Sequence, residues 1–369
     1  MMAVGINEII RFLEELAPNN LAEDYDNVGL LLGNRDSAVN RVMVCLDVTS
    51  KVAAEAAEKG VDLIVSHHPV IFKGLKRINE DDPKGRIIYN LIKNNIGVYS
   101  VHTNLDVVKG GVNNHLSMTL GLTEIKNLKK YKSEMLYKIV VFVPQDSVDL
   151  VRDAMSRAGA GWIGNYSDCS FMTKGTGTFR PLEGTNPYIG KKGNLERVDE
   201  YRLETVAPQK SLKKVVEAMT SAHPYEEVAY DIYPLEVSAK EYGMGDIGVL
   251  KEPVTLNEFV KTVKEKLDVS SVRVIGSIDR KIKNVAVFCG SFDESLSGLV
   301  KSNADVLVTG DIKYHTAVDI MEMGMCVIDA GHFNTEKIIV PRLSELISGK
   351  FPELEVISNK VEEDPFKII

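Results

Sequence analysis

The sequence predicts an α/β fold in which two pseudo-repeated α/β lobes form one body and a ferredoxin-like α+β domain is inserted between them. Two observations support this prediction. The first and last parts of the 369-residue chain align with each other, and the middle part aligns with neither. We therefore predict a first lobe over residues 1–130, an inserted domain over residues 131–238 and a second lobe over residues 239–369.

The repeated part of each lobe has the pattern strand, helix, strand. Residues 41–70 align without a gap with residues 284–313, and β-branched runs recur at matching places in both. Nearly continuous apolar strands are typical of parallel strands that are buried on both faces. The segment between the strands has apolar residues at helical spacing. Each lobe is therefore predicted to contain a βαβ unit.

A third strand extends the repeat in both lobes. Residues 97–101 resemble residues 324–328, and each of these runs follows a segment that predicts a second helix. The first lobe has additional residues before this helix, in the polar stretch 72–83, which contains Gly and Pro. Long loops of this kind often carry function, so we predict a functional loop here.

The central segment alternates between strand and helix patterns. We predict strands over residues 137–143, 200–206 and 228–233, and helices over residues 146–155 and 212–221, the first of them capped by Asp146 or Ser147. With a further strand in the intervening Gly-rich region, the order becomes β-α-β-β-α-β. This order is typical of a ferredoxin-like domain.

The composition excludes several classes of protein. Hydrophobic residues make up 44% of the chain and charged residues 26%, as in globular proteins. The chain has 44 Lys and Arg residues against 52 Asp and Glu residues, which gives a net charge of −8. Because proteins bind nucleic acid largely by neutralising its phosphates with basic residues, we do not expect nucleic acid to be a partner. No apolar run approaches the ~20 residues of a membrane span, and the first residues do not resemble a signal peptide. We expect a soluble protein with no membrane partner.

The cysteines indicate a reducing compartment. Their spacing matches neither a disulfide framework nor a thiolate metal site. A cytoplasmic location is therefore expected. The four cysteines are Cys45, Cys169, Cys289 and Cys326.

Histidines and carboxylates follow three of the predicted strands. His67 and His68 follow the second strand of the first lobe, and the segment 102–106 (HTNLD) follows its third strand. The segment 332–336 (HFNTE) follows the third strand of the second lobe, and its end residues share one face if a helix begins there. Because α/β proteins build their sites at the carboxyl ends of parallel strands, we expect these residues to converge.

Three histidines and two carboxylates of this group have the donor set of a divalent metal site. Nitrogen and oxygen ligands suit Zn²⁺, Mn²⁺, Fe²⁺ or Ni²⁺ better than Cu(I). Five ligands exceed what one tetrahedral zinc ion needs, which favours two ions. The candidate ligands at this stage are drawn from His67, His68, His102, Asp106, His332 and Glu336.

Structural roles are the alternative for these residues. Adjacent strand residues point to opposite faces, so His67 and His68 can share a site only if the strand ends there, as Pro69 favours, or if two ions lie close together. Any single histidine at a strand end could instead be a hydrogen-bonded structural residue. The segment 332–336 could be a helix start with a solvated carboxylate.

Other polar residues receive separate interpretations. His315 lies near the position in the second lobe that corresponds to the paired histidines, so it is a candidate catalytic or ligand-orienting group. His115 is interpreted as a residue on a helix surface and His223 as a turn residue. Cys289 has no basic neighbour in sequence and is a weak nucleophile candidate. Trp162 and the central tyrosines are interpreted as packing or interface residues.

Five segments of the chain form a recognisable set. They are residues 26–33 (DNVGLLLG), 66–69 (SHHP), 102–106 (HTNLD), 309–311 (TGD) and 331–336 (GHFNTE). Together they resemble the signature segments of the YbgI/YqfO family, the Nif-three-like group that is often labelled GTP cyclohydrolase type two. The order and spacing of the histidine segments are specific, and the resemblance extends over nearly the whole chain.

This resemblance implies a dinuclear metal centre in each chain and a toroidal homohexamer. Carried over by residue, it implies that His68 and Asp106 hold one ion, that His67 and His332 hold the other, and that Glu336 bridges both. It also implies that the central domain is similar to the PII and CutA proteins.

The ligand set indicates hydrolytic chemistry. Two divalent ions, with zinc the first candidate, lower the pKa of a bound water and polarise the bond that is cleaved. His102 and His315 are the candidates to transfer the proton. The expected substrate is a small nucleotide-like molecule or phosphoester. The alternative function is a metal-dependent regulatory or carrier ring that has no catalytic turnover.

Overall fold

Helices and strands alternate along the chain, and the computed structural model describes them over residues 3–292 and 296–368. The chain divides into two units. Unit 1 comprises residues 1–131 and 242–369, and unit 2 comprises residues 132–241. Both units combine helices with β-sheet, so the predicted mixed α/β class is confirmed.

The first segment of unit 1 contains the first strand–helix–strand–helix–strand series, from Arg41 to Ser100. A single 3₁₀ turn, Asn19–Leu21, precedes the strand that begins at Gly29. The elements in chain order are β1 Val4–Gly5, α1 Ile6–Leu16, β2 Gly29–Leu32, β3 Ala38–Val39, β4 Arg41–Cys45, α2 Ser50–Glu58, β5 Leu63–Ser66, α3 Pro83–Lys93, β6 Gly97–Ser100, α4 Thr103–Asp106, α5 Val112–Thr119 and β7 Thr123–Pro144.

Unit 2 has the element order that its sequence predicts, with longer strands. After β7, its elements are α6 Val148–Arg157, β8 Ser170–Phe179, β9 Glu196–Pro208, α7 Gln209–Ala222 and β10 Tyr230–Thr255. Its sheet order is β10-β7-β9-β8, and β9 is antiparallel to both β7 and β8. The predicted side-chain cap of its first helix is wrong, because Ser147 is at the N-cap but makes no capping hydrogen bond.

The second segment of unit 1 contains a second series of the same kind, from β12 to β14. The helix predicted between its first two strands is observed only from Leu296, because the residues 293–295 lie outside the described part of the chain. The elements are α8 Leu256–Leu267, β11 Arg273–Ile275, β12 Lys281–Ser291, α9 Leu296–Lys301, β13 Val306–Gly310, α10 Tyr314–Glu322, β14 Cys326–Asp329, α11 His332–Glu336, α12 Ile339–Lys350 and β15 Glu355–Ser358.

Two sheets of unit 1 contain these two series. The first sheet has the order β15-β4-β5-β6-β2, in which β2 is antiparallel to its neighbour and the other pairs are parallel. In the second sheet, β12, β13 and β14 are parallel, and β10 and β11 are antiparallel to the strands beside them. The first sheet therefore presents the carboxyl ends of four parallel strands along one edge, and the second sheet presents those of three.

The core of unit 1 lies between the two sheets. In β4, Val42 and Val44 pack into this inner core, whereas Met43 and Cys45 pack against the outer helices α2 and α3. Both faces of the strand are thus buried, as the continuous apolar pattern predicts. The helices α1, α5, α8 and α12 also contribute to the inner core.

Helix α1 shows why these segments become helices. Its isoleucines and leucine at i, i+3, i+4 and i+7 form one apolar stripe, and all four are buried. Burial of each such side chain contributes roughly 1.5 to 3 kcal/mol. Helix α8 in the second segment begins with a complete capping box between Thr255 and Glu258. Every helix in the described ranges is too short or too polar to cross a lipid bilayer.

Candidate metal centre

The paired histidines lie directly after the end of β5. The backbone N–H of His67 donates to the carbonyl of Cys45 (3.1 Å), and that of His68 donates to the carbonyl of Leu46 (2.8 Å). The hydroxyl of Ser66 donates to the carbonyl of His68 (2.8 Å) and stabilises the bend. Both side chains consequently reach one site, and their ring centroids are 5.1 Å apart.

The segment after β6 brings a third histidine and a carboxylate to the same edge. His102 precedes the short helix α4, which ends at Asp106. The amide of Asn113 donates to the backbone carbonyl of Asp106 (3.0 Å), and its oxygen accepts the N–H of Cys289 (2.8 Å). Asn113 therefore connects the two segments of unit 1 beside the site. The thiol of Cys289 lies 3.5 Å from Oδ1 of Asp106.

Helix α11 supplies the remaining candidate ligands from the second sheet. His332 and Glu336 occupy positions i and i+4 on one face, as the sequence predicts. The helix lies very close to β12, because the backbone N–H of Gly290 donates to the hydroxyl of Thr335 (3.0 Å). A side chain at Gly290 would overlap the carboxylate of Glu336. Glycine at this position is what permits the close approach.

The two oxygens of Glu336 face two different groups of side chains. Oε2 lies 2.9 Å from Nε2 of His68 and 3.1 Å from Nε2 of His332. Oε1 lies 4.0 Å from Nε2 of His67, which is itself 3.6 Å from Oδ1 of Asp106. Glu336 is thus shared between one group with His68 and His332 and another with His67 and Asp106.

The contacts of Glu336 group the side chains differently from the pairing that the family resemblance implies. That pairing joins His68 with Asp106 and His67 with His332. In the structure, the side chains of His68 and His332 both lie beside Oε2 of Glu336, and His67 lies beside Asp106. Which of these side chains hold the same ion stays a prediction.

Each histidine ring is oriented by a hydrogen bond from its Nδ1 atom. Nδ1 of His67 bonds to the backbone carbonyl of Val101 (2.8 Å). The other three rings bond to aspartates, a type of contact that commonly orients metal-binding histidines. These pairs are His68 with Asp47 (2.9 Å), His102 with Asp26 (2.8 Å) and His332 with Asp311 (2.9 Å).

The group with His67 favours neutral side chains, whereas His68 in the other group favours its charged form. Burial lowers the pKa of His67 to about 3. Burial also disfavours a charge on His68, but hydrogen bonds to Asp47 and Glu336 outweigh it and raise the pKa of His68 to about 10. In Asp106, burial and the charge of Glu336 raise the pKa to about 7.

A buried lone pair on His67 tests whether these residues fit a metal ion. The carbonyl of Val101 can only accept, so Nδ1 of the neutral ring carries the hydrogen and Nε2 carries a lone pair. Among the described residues, Nε2 has no hydrogen-bond partner although it is fully buried. It faces the carboxylates of Asp106 and Glu336. A cation ligated by these groups would satisfy all three, so the residues fit a divalent ion.

The candidate catalytic histidines have different surroundings. His102 belongs to the cluster, with its ring centroid 5.2 Å from that of His67 and 5.3 Å from that of His68. One ring nitrogen of His102 lies within 4.8 Å of a ring nitrogen of His67 and of a ring nitrogen of His68. His315 is exposed on α10 and contacts the ring of Tyr314, and the described contacts of the cluster do not include it.

Sequence reasoning missed the three orienting aspartates. Asp26 and Asp311 lie in segments that carried the family resemblance, but no role was assigned to them. Asp47 follows β4 and lies beside the end of β5. Asp47 and Asp311 both come after a parallel strand, and this position is the signal in the sequence that could have indicated their role. The predicted functional loop contributes Phe72, whose ring centroid lies 6.2 Å from that of His102.

Comparison with families and curated proteins gives consistent matches over the whole chain. The family model described as Duf34/NIF3 (NGG1p interacting factor 3) matches residues 4–365. A protein named GTP cyclohydrolase 1 type 2 homolog from Halalkalibacterium halodurans is 46% identical over 365 residues, which are 98% of each chain. The protein of the same name from Bacillus subtilis is 43% identical over 374 residues, which cover both chains completely.

Solved structures are similar to this chain over the same length. A Bacillus cereus protein described as related to NIF3 superposes with a TM-score of 0.90 at 42% identity, over all of both chains. The Staphylococcus aureus protein SA1388 superposes with a TM-score of 0.83 at 32% identity, also over all of both chains. The fold described above is therefore shared with experimentally determined relatives.

Proposed function

The chain belongs to the Duf34/NIF3 family, as the sequence resemblance predicts, and from that premise we propose that it is a dinuclear metal-dependent hydrolase. The proposed substrate is a small nucleotide-like molecule or phosphoester, in agreement with the name that its relatives carry. The proposed ions are two divalent cations per chain. Zinc is the first candidate, and iron, manganese or nickel are the alternatives.

The observation that carries this proposal is the position of Glu336. Its two carboxylate oxygens face separate groups of histidine and carboxylate ligands from both sheets of unit 1. A carboxylate shared in this way is typical of two-metal hydrolytic sites. The lone pair of His67, which is buried without a donor, supports the same interpretation.

Each proposed ion has its own group of ligands. One would be held by His67 and Asp106, the other by His68 and His332, and Glu336 would be shared. Ions held there supply Lewis acidity and lower the pKa of a bound water. Asp47 and Asp311 hold the rings of His68 and His332 so that their Nε2 atoms face Glu336.

Two histidines are proposed to move protons. His102 is held through Nδ1 by Asp26, so its Nε2 atom is the one that can accept a proton in the site. Asp26 remains a carboxylate, because its bonds with His102 and Thr103 outweigh its burial and lower its pKa to about 2. His315 is exposed, which suits exchange of a proton with solvent. It is the weaker of the two assignments, because it has no described contact with the cluster.

The finer architecture is also proposed. We infer that the series β4-β5-β6 and β12-β13-β14 are pseudo-repeated lobes, which their shared parallel order supports. We infer that unit 2 is an inserted ferredoxin-like domain of the PII and CutA type, which its strand order supports. We further propose a toroidal homohexamer in the cytoplasm, for which a molar mass of about six chains by light scattering is the test.

The second candidate function is a metal-dependent regulatory or carrier ring. In that function, the metal orders the cluster while unit 2 binds partners or effectors. The two candidates share the metal centre and differ in turnover.

Metal content and turnover together test the proposal. We would measure divalent ions by elemental analysis in protein purified without an affinity tag, for wild type and for His68→Ala combined with Glu336→Ala. We expect about two ions per chain in the wild type, and loss of these ions in the double variant. Wild-type protein that does not take up Zn²⁺, Mn²⁺ or Fe²⁺ would overturn the metal centre.

Screening of nucleotides and phosphoesters on the metal-loaded form separates the two functions. Turnover that disappears in Glu336→Gln, while the assembly persists, supports the hydrolase. Metal binding without turnover on any of these substrates supports the carrier ring instead. The exposed Glu345→Gln is the matched control, because it changes the same functional group on the neighbouring helix α12.

A further inference from the structure

Unit 2 contains a cavity that takes no part in the metal centre. Its volume is about 600 Å³, and residues of β8, β9 and the connections that follow β8 and α7 line it. This volume is in the range of small-molecule sites, which are mostly apolar with a few convergent polar groups. The cavity consists entirely of residues of unit 2, so its description does not depend on the other unit.

A buried carboxylate lines this cavity. Glu200 on β9 is only 8% exposed. Its described hydrogen bond comes from the hydroxyl of Tyr225, which donates to Oε1 (3.0 Å). Burial, together with this bond, raises the pKa of Tyr225, so the hydroxyl stays a donor. Oε2 is left without a described hydrogen bond and can accept one from a ligand.

A glycine makes the space in which this carboxylate lies. Gly175 is directly opposite Glu200 in the pairing of β8 with β9, and Gly177 lies two residues further along the same face. A Cβ atom at Gly177 would overlap Oε2 of Glu200, whereas one at Gly175 would meet nothing within 4 Å. Any larger residue at position 177 would displace the carboxylate, so Gly177 permits its position at the cavity.

Aromatic rings form one wall of the cavity. The ring centroid of Tyr225 lies 5.8 Å from that of Phe179 and 6.2 Å from that of Tyr188. Tyr188 is 54% exposed in this chain. His223 belongs to the supporting structure, because it bonds to the carbonyl of Phe142 (2.9 Å) and accepts the N–H of Tyr225 (3.1 Å). The predicted turn at His223 thus holds the aromatic wall in place.

The basic residues around the cavity are engaged elsewhere. Arg202 pairs with Glu204, and Arg180 donates to the carbonyl of Gly193. Lys174 lies over the ring of Tyr201, with its Nζ atom 5.5 Å from the ring centroid. The free hydrogen-bonding capacity of Glu200 is therefore not neutralised by a neighbouring cation. The ligand that fits must itself supply N–H donors or positive charge.

We propose that this cavity binds a planar heterocycle that carries an amidine-type pair of N–H donors, as the guanine ring does. The carboxylate of Glu200 accepts the N–H pair, since a planar donor pair matches a carboxylate in geometry. The rings of Tyr188 and Tyr225 contact the face of the heterocycle. The site is separate from the metal centre and gives the chain a second ligand.

Calorimetric titration of the full chain with three probes tests this proposal. The probes are guanosine, inosine, which lacks the exocyclic amino group, and benzamidine, which presents the donor pair without a nucleoside. We expect guanosine to bind at least about tenfold more tightly than inosine, because hydrogen bonds to a charged group are among the stronger ones. Glu200→Gln should weaken guanosine binding by a similar factor, and Tyr188→Ala several-fold.

Matched variants provide the controls. Glu183→Gln and Tyr166→Ala change exposed residues of unit 2 that do not line the cavity, so they should bind guanosine as the wild type does. Circular dichroism checks that Glu200→Gln remains folded. The exposed Tyr188 gives a second variant that is independent of the buried carboxylate.

The outcomes separate this site from the metal centre. Guanosine binding that persists in Glu336→Gln and is lost in Glu200→Gln supports the proposal, whether or not the metal centre proves catalytic. Binding of benzamidine alone, with the same dependence on Glu200, supports the donor chemistry and excludes nucleosides. The proposal is wrong if neither guanosine nor benzamidine binds, if inosine binds equally well, or if binding depends on Glu336 and not on Glu200.

Discussion

Nε2 of His68 lies 2.9 Å from Oε2 of Glu336, although the two residues are 268 positions apart in the sequence. The contact joins the end of β5 in one sheet of unit 1 to α11, which follows β14 in the other. Neither segment can form the cluster alone. The proposed metal centre therefore depends on the packing of both sheets around the inner core, and metal binding should stabilise that packing.

Removal of one ligand from each group should remove one ion at a time. We expect Asp106→Asn to lose the ion of the group with His67, and His332→Gln to lose the ion of the group with His68. Each variant should contain about one ion per chain, because Glu336 still serves the other group. Elemental analysis of both variants, with chelator-treated and reloaded samples, measures this.

The pairing of ligands that the family resemblance implies predicts a different metal content for double variants. Under the proposed grouping, Asp106→Asn with His67→Gln should keep about one ion, because both residues belong to one group. The pair Asp106→Asn with His68→Gln should lose both ions, whereas the pairing that the family resemblance implies predicts the reverse for both double variants. The reverse pattern would contradict the grouping described here.

The orienting aspartates should affect metal affinity without contact with the metal. Asp47→Asn removes the charge that accepts the Nδ1–H of His68 while it keeps the side-chain volume. We expect the affinity for the ion of the His68 group to fall about 10- to 100-fold, as for similar partners of metal-binding histidines. Competition with a fluorescent zinc chelator measures the change.

An exposed aspartate serves as control for this variant. Asp319→Asn on α10 removes the same charge at a surface position and should leave the affinity unchanged. An equal loss in both variants would mean that Asp47 acts only through net charge. An unchanged affinity in Asp47→Asn would show that the hydrogen bond does not orient His68.

Much of the fold follows from local patterns in the sequence. The β-branched runs around Val44 and Val65 form adjacent parallel strands, with these two residues paired. The patterns did not reveal the lengths of β7 and β10. These strands run from Thr123 to Pro144 and from Tyr230 to Thr255, and much of each is polar. Pairing across the sheet extends such strands beyond the segment whose apolar pattern predicts them.

The site was predictable in its residue types and not in its contacts. The rule that sites lie at the carboxyl ends of parallel strands brought His67, His68 and the later segments together. Which nitrogen faces which carboxylate depends on the bend after Ser66, and the sequence does not encode this bend in any periodic pattern. The proposed role of Glu200 was also hidden, because it depends on Gly177 in the neighbouring strand β8.

Gly290 should be essential for the geometry at Glu336. A methyl group there would overlap the carboxylate of Glu336 and lie 3.2 Å from Nε2 of His332. We expect Gly290→Ala to lose at least one ion per chain and to lower the free energy of unfolding by roughly 1 to 3 kcal/mol. Elemental analysis and urea unfolding measure these two effects.

Gly324→Ala separates steric overlap from backbone strain. Gly324 has a similar positive φ of 69°, compared with 62° at Gly290, but a Cβ atom there meets nothing within 4 Å. We expect it to lose stability from strain alone and to keep both ions. If both variants lose metal equally, the overlap with Glu336 is not the cause.

A buried carboxylate outside the metal centre should make stability depend on pH. Asp246 in β10 is 6% exposed, and its described hydrogen-bond partner, the neutral amide of Asn114, lies 3.1 Å away. Burial raises the pKa of Asp246 from its ordinary value of 3.8 to about 6. The folded chain therefore binds a proton more tightly than the unfolded chain, so this group's contribution to stability is full below about pH 4 and is lost as pH rises through about 6.

Asp246→Asn should remove this pH dependence. At pH 7.5, the folded wild type must either bury the ionised carboxylate or keep it protonated, and both cost free energy. We therefore expect the variant to have a higher free energy of unfolding, by up to roughly 2 to 3 kcal/mol for a shift of about two pKa units. At pH 4, the two proteins should be nearly equal in stability. Urea unfolding at pH 4, 5, 6 and 7.5 measures the difference, and Asp279→Asn, at an exposed position, is the control. A constant difference at all four values would mean that the ionisation of Asp246 is not linked to folding, because only a titrating group can change its contribution across this range.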